Sequence, residues 1–303
     1  MAAFAHSEII LNGRPSIVLD GKVAEVVVDL GGGSIVRFRL KDQQLNPLTW
    51  TWAGKETPAV HPMGHFLCLD RWGAPSDAES KNGMPFHGEA AWVPWKVLHE
   101  PSGTDDAIQA EVAATLPMAG FEVKRRIRLL KDVALIAVSE SVTNKTKLGR
   151  VYNMVQHPTI APPFLDDSTL VDANARKGFL QSSPLPNPEE PAVYWPQGLK
   201  DGQPVNLRRL TDDHEPDVVS FTIDDEYGWT TASTAGKGLL IGYMWKSCDY
   251  PWLDVWRDAK TASQPRVVWS SARPAYISPR ESWWRKERYL AAGCTPISMP
   301  ARR

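Results

Sequence analysis

Residues 84–98 read MPFHGEAAWVPWKVL and place His87, a glycine and Glu89 directly ahead of a tryptophan-rich strand. On an extended backbone, side chains two apart point to one side, so an imidazole and a carboxylate would share a surface there. Such a pair serves as general acid and base, or as two ligands of one metal together with His157. The alternative is that Glu89 pairs with an arginine and His87 satisfies a backbone carbonyl. His157 precedes a proline in VQHPTIAPPF, which biases it to extended backbone, a geometry common at strand ends that line pockets.

Three other stretches carry side chains of the same kind. LDRWG, residues 69–73, joins Asp70, Arg71 and Trp72, a carboxylate and a guanidinium to read hydroxyls and an indole to stack on the apolar face of a sugar ring. The other reading is a surface ion pair beside a half-buried indole. In YMWKSCDYPWLDVWRD, residues 243–258, Tyr250, Trp252, Asp254 and Trp256 alternate. An extended backbone would present all four on one face, with Arg257 beside them. They form either a sugar platform or packing between two sheets. HPMGHF, residues 61–66, suggests a metal cluster of His61 and His65, but Pro62 and Gly64 argue against the helix that would align them.

These residues must be positioned by strands. Segments of period-two alternation recur about every ten residues, among them AEVVVDL, SIVRFRL, AIQAEVAATL and VVSFTI. NG, DG, GGG and SG turns punctuate them, and helical periodicity is hard to find. FEVKRRIRLLKDVALIAVSESVTN reads as a long hairpin turning at Lys131-Asp132, with one apolar and one charged face. The 25 prolines and 13 tryptophans also favour strands, turns and aromatic surfaces. The GGG turn leads from strand to strand and lacks GxGxxG, so it is no dinucleotide loop. Nothing in the composition divides the chain, and residues 1–303 are expected to form a single all-β domain.

Composition narrows the partners. A formal net charge of −1 with 23% charged residues sets up no field to draw nucleic acid or an anionic membrane. The N-terminus has no basic, apolar leader, so the chain reads as soluble and cytoplasmic, or periplasmic if an export signal was trimmed. Cys68, Cys248 and Cys294 are odd in number and lack metal-site spacing, which points to reduced thiols. Oligomeric state is not written in these patterns.

Taken in order, VVVDLGGGSIVRFRLKDQQLNPL, PFHGEAAWVPWKVL, the hairpin ending in SESVTNKT, YNMVQHPTIAPPFL and the late PRESWWRKERYL resemble the galactose mutarotase-like superfamily, the aldose 1-epimerases and related β-supersandwiches. The resemblance spans most of the chain. It implies a galactose mutarotase-like β-supersandwich of large antiparallel sheets, with a cleft for a mono- or oligosaccharide and no cofactor. It further implies that His87 and His157 lie together, one holding or protonating the ring oxygen and the other orienting the sugar. A carboxylate near the C-terminus would then take the anomeric proton. Where that carboxylate is expected, this chain has Trp269, Ser270 and Ser271, and Glu281 stands too close to the closing strand. Asp254 or Asp249 could supply the missing group. Two other readings remain at this point: a lyase or hydrolase holding a divalent metal between His87, Glu89 and His157, and a sugar-binding protein without turnover.

Overall fold

The computed structural model describes residues 8–11, 13–53, 58–181, 193–209, 217–258 and 266–277. The chain folds into antiparallel sheets, as alternation and turn spacing predict. Among the described residues the largest has eleven strands, and its centre decides the site. There Ile35–Leu40, His65–Asp70, Arg150–Ile160, Arg266–Ile277, Trp252–Asp258 and Asp217–Thr222 lie side by side. A four-stranded meander, Lys96–Gly103, Ala107–Leu116, Phe121–Leu130 and Ile136–Asn144, forms a second sheet. A three-stranded sheet contains the hairpin Tyr227–Thr234 and Leu239–Lys246.

The main core lies between the large sheet and the meander. Leu67, Leu69 and Met154 on one side meet Val112, Leu116, Phe121, Val123, Ile127 and Leu129 on the other. Each such side chain contributes roughly 1.5–3 kcal/mol by leaving water. We call this face of the large sheet inner and the opposite face outer. A smaller outer cluster gathers Trp50, Phe66, Cys68, Ala91, Val155 and Ala161, with Trp52, Trp72 and Trp92 against it.

The hairpin read from FEVKRRIRLL and IAVSESVTN forms in unbroken register from Phe121↔Asn144 to Leu129↔Ile136. One of its inward positions is not apolar. Arg125, 1% exposed, points into the core and pairs there with Glu140. Helix is confined, among the described residues, to Asp77–Lys81 and one short 3-10 turn, the former closed by a reciprocal cap between Ser76 and Glu79. No helix among the described residues is long and apolar enough to cross a membrane. The expectation of three reduced thiols needs correction, because Cys248 is disulfide-bonded; Cys68 is free and buried. Cys294, Glu281 and the PRESWWRKERYL stretch lie outside the described residues.

Candidate functional site

The site is built on the central strand Arg150–Ile160 and its neighbour His65–Asp70. Their register sets His157 opposite Phe66 and Val155 opposite Cys68, so all four point to the outer face. The His157 ring stacks on Phe66 at 4.1 Å, and its Nδ1 lies 3.3 Å from Thr159 Oγ1.

His87 reaches this face from a turn. Its φ is 68° and that of Gly88 is 76°, both left-handed. Histidine tolerates that region better than most residues, and glycine tolerates it freely. Gly88 also bridges to Leu69, and a β-carbon there would sit 2.2 Å from the Leu69 carbonyl oxygen. The glycine thus lets the turn close onto the strand and bring the His87 ring 4.8 Å from that of His157, centroid to centroid. Gly73 clamps His87 from both ends. The His87 amide donates to the Gly73 carbonyl at 2.9 Å, and the Gly73 amide donates to His87 Nδ1 at 3.0 Å. A ring whose Nδ1 accepts carries its proton on Nε2. Burial pushes the His87 pKa down to about 3, so the imidazole is neutral at ordinary pH and acts as an Nε2–H donor.

Left-handed backbone has a second consequence that corrects the sequence reading. His87 and Glu89 do not share a face, because the backbone between them is a turn rather than a strand. Glu89 is buried and its carboxylate accepts from the amides of Met118 at 3.2 Å and Ala119 at 2.7 Å. It latches a loop of the meander. The metal set of His87, Glu89 and His157 is therefore not assembled.

Cys68 takes the third place instead: its sulfur and one nitrogen of each histidine lie within 4.8 Å of one another. Two features describe this trio as it stands without a metal. Burial raises the Cys68 thiol well above its usual range, holding it protonated. A metal on His87 Nε2 would move the proton to Nδ1, into the Gly73 amide.

Around the histidines stands an aromatic wall, in which Trp52 meets Trp92 at 5.4 Å and Phe86 at 6.1 Å. Phe86 also packs edge-on to His87 at 4.1 Å. Trp72 belongs to this wall, but Asp70 and Arg71 are engaged elsewhere. Fully buried Asp70 pairs with Arg150 at 3.2 Å, and desolvation raises its pKa against the pull of that guanidinium. Arg71 is bound to Glu79, whose carboxyl it holds at about 2. Both charges fasten the loop that carries His87. His61 and His65 also separate, His61 bonding to Pro58 and Thr51 and His65 to Gln156 on the inner face.

The aromatic-acidic stretch divides between faces. Val155 pairs with Ala272, which pairs with Trp252, so Trp252 shares the outer face with Val155. Asp254 and Trp256 follow at period two. Trp252 packs edge-on against Phe179 at 5.9 Å. Tyr250 does not join them, since the strand begins only at Trp252, after Pro251. Its hydroxyl accepts from Gln156 Nε2 at 3.1 Å on the inner side. Arg257 also points inward, donating to the carbonyls of Asn206 at 3.0 Å and Arg209 at 2.7 Å. It ties down a loop.

Asp254 is 3% exposed. Ser220 Oγ donates to its Oδ1, while Oδ2 is buried without a hydrogen-bond partner. Desolvation lifts its pKa to about 7, against the lowering effect of Ser220. Across the ladder Asp254 pairs with Ser270, one of the residues occupying the expected carboxylate position.

No family model matches the chain, and no curated protein matches it in sequence. Solved structures do match in shape. A galactose mutarotase related enzyme from Lactobacillus acidophilus superposes with a TM-score of 0.62 at 13% identity, covering 88% of this chain and 94% of its own. A galactose mutarotase-like protein from Clostridium acetobutylicum gives 0.62 at 16% identity, covering 91% and 95%. A protein from Escherichia coli K12, provisionally named an aldose 1-epimerase, gives 0.55 at 15% identity, covering 88% and 95%. At such identities the likeness establishes the fold, and this chain has the galactose mutarotase-like fold. Its large antiparallel sheet is the platform on which His87 and His157 meet.

Proposed function

We propose that the protein is a carbohydrate-active enzyme of the aldose 1-epimerase type, interconverting the anomers of an aldose or a sugar end group on the outer face of its large sheet. The observation that carries this reading is the 4.8 Å approach of two imidazoles from segments 70 residues apart, walled by aromatic rings. Opening a hemiacetal requires a proton to leave O1 as another reaches O5. His157 is assigned the proton transfer to and from the ring oxygen. His87, fixed as a neutral donor by Gly73, is assigned to orient the sugar.

Asp254 is assigned the base. It stands two strands from the His157 strand on the same face, and strands about 4.8 Å apart place the two roughly 10 Å from each other. That span fits one pyranose ring with a hydrogen bond at either end. A carboxyl poised near neutrality takes and returns a proton with little driving force lost. The missing carboxylate is then supplied one strand over from Ser270.

Polarimetry of freshly dissolved α-aldoses tests this. Anomerisation well above the buffer rate for at least one aldose is expected, with a loss of 100-fold or more in His157→Ala, in line with the roughly 10²–10⁴-fold typical of general acid–base groups. Wild-type protein no faster than buffer across glucose, galactose, mannose and xylose would remove the epimerase reading.

A further inference from the structure

A cavity of about 200 Å³ lies on the inner side of the large sheet, away from the histidine pair. Its floor is His65, Gln156, Pro158 and Leu253 of the large sheet, and Ile136, Val138 and Glu140 of the meander form one wall. The hairpin supplies Tyr243 and Trp245, and Tyr250 also lines the cavity.

A polar chain runs through it. His65 Nε2 lies 3.1 Å from Gln156 Oε1, and Gln156 Nε2 donates to Tyr250 Oη at 3.1 Å. Behind Glu140 stands Arg125, its Nε donating to Glu140 at 3.0 Å and its Nη1 to the Gly33 carbonyl. Nη2 of that guanidinium is buried with no hydrogen-bond partner. Leaving a charged donor unmatched in a dry interior is costly, and a purely structural ion pair would be no worse as apolar residues. None of these groups serves the outer site.

The charges of Arg125 and Glu140 cancel, so the cavity offers no net charge to hold an ion against its desolvation. What it offers is aromatic surface, several hydrogen-bonding groups and the volume of a single small ring; a dry cavity of about 150 Å³ already takes benzene. We propose that this inter-sheet cavity is a second ligand site, for one neutral hydroxylated six-membered ring such as a pyranose or cyclitol. The ring would lie among Tyr243, Trp245 and Tyr250, with a hydroxyl donating to the Glu140 carboxylate, which lines the cavity and is held there by Arg125.

This site does not depend on the outer face, and the test keeps the two apart. Saturation-transfer NMR and calorimetry with D-glucose and myo-inositol are run on the full chain, on His157→Ala, and on His157→Ala combined with Val138→Trp, which fills the cavity from the meander. Binding of at least one ring to His157→Ala, weakened tenfold or more by Val138→Trp, is the expected result. Should Val138→Trp fail to fold, Ile136→Phe narrows the same wall and is read the same way. The proposal is overturned if neither ring binds His157→Ala, if filling the cavity leaves binding unchanged, or if cyclohexanol binds there while both polyols do not.

Discussion

Gln156 and His157 are neighbours in sequence, and a strand sends them to opposite faces of the same sheet. On the inner face Gln156 bonds to a histidine, His65, whose pKa is held at about 3 by burial and by the nearby Arg125. On the outer face His157 meets another, His87, held equally low by burial alone. The difference lies in what satisfies each ring. His65 shares a side-chain network inside a cavity, whereas His87 is clamped through Nδ1 by a backbone amide, leaving Nε2 to carry the donor proton. Desolvation lowers both pKa values, although His65 is buried and His87 only half-buried; the geometry of partners is what separates a donor aimed at a reaction from one absorbed in a network.

The contrast is broken most directly by substitution at the two histidine layers. His157→Ala should cost 100-fold or more in anomerisation, while His65→Ala should change it less than threefold. Equal losses measured by polarimetry would dissolve the distinction between faces. Next comes the turn that delivers His87. Gly88→Ala forces a β-carbon into the Leu69 carbonyl at a left-handed position and should destabilise the fold by about 2–4 kcal/mol in urea unfolding. A normal midpoint would show that the turn is not needed to hold His87.

Glu89 sharpens the comparison because it sits beside His87 yet serves the scaffold. Glu89→Gln should cost about 1–3 kcal/mol of stability through its weakened bonds to Met118 and Ala119, with turnover per folded molecule retained within about threefold. A large loss of turnover in a stable Glu89→Gln would return it to the chemistry.

Asp254 makes a pH-dependent contribution. Its folded pKa of about 7 lies above the unfolded value near 3.8, so the native state binds the extra proton between them. Stability from this group is present at low pH and falls as pH rises from about 4 through 7. Asp254→Asn should flatten that part of the stability curve, seen by thermal melts across pH, and lower turnover at least tenfold. His87 and His65 act in the opposite sense, their lowered pKa values withdrawing stability as pH falls below about 6.5. The smallest expected effect is that of chelation. Treatment with a strong chelator should leave both turnover and melting temperature unchanged, and stoichiometric metal in the untreated protein would reopen the Cys68, His87 and His157 trio as a metal centre.

Much of the fold was legible beforehand, because strand periodicity and turn residues are local. The hairpin from Phe121 to Asn144 can be read directly from its alternation, but the reading of one wholly apolar face passed over Arg125, which stands in the inward row with Phe121, Val123, Ile127 and Leu129 and is accommodated there by Glu140. Chemistry was less legible. Asp70 and Arg71 look like sugar-reading groups until Arg150 and Glu79, distant or helical, claim them. Tyr250 looks like part of a platform until the strand starts two residues later.

Alternation alone therefore determined that this chain is built of antiparallel strands, and family-like stretches singled out His87 and His157. Two things waited for the tertiary structure: the left-handed turn that swings Glu89 away from His87, and the register that sets Asp254 on the His157 face beyond Ser270. Both depend on which strands lie next to one another. Side-chain order within one strand says nothing about that, since pairing is decided by contacts between residues far apart in the chain.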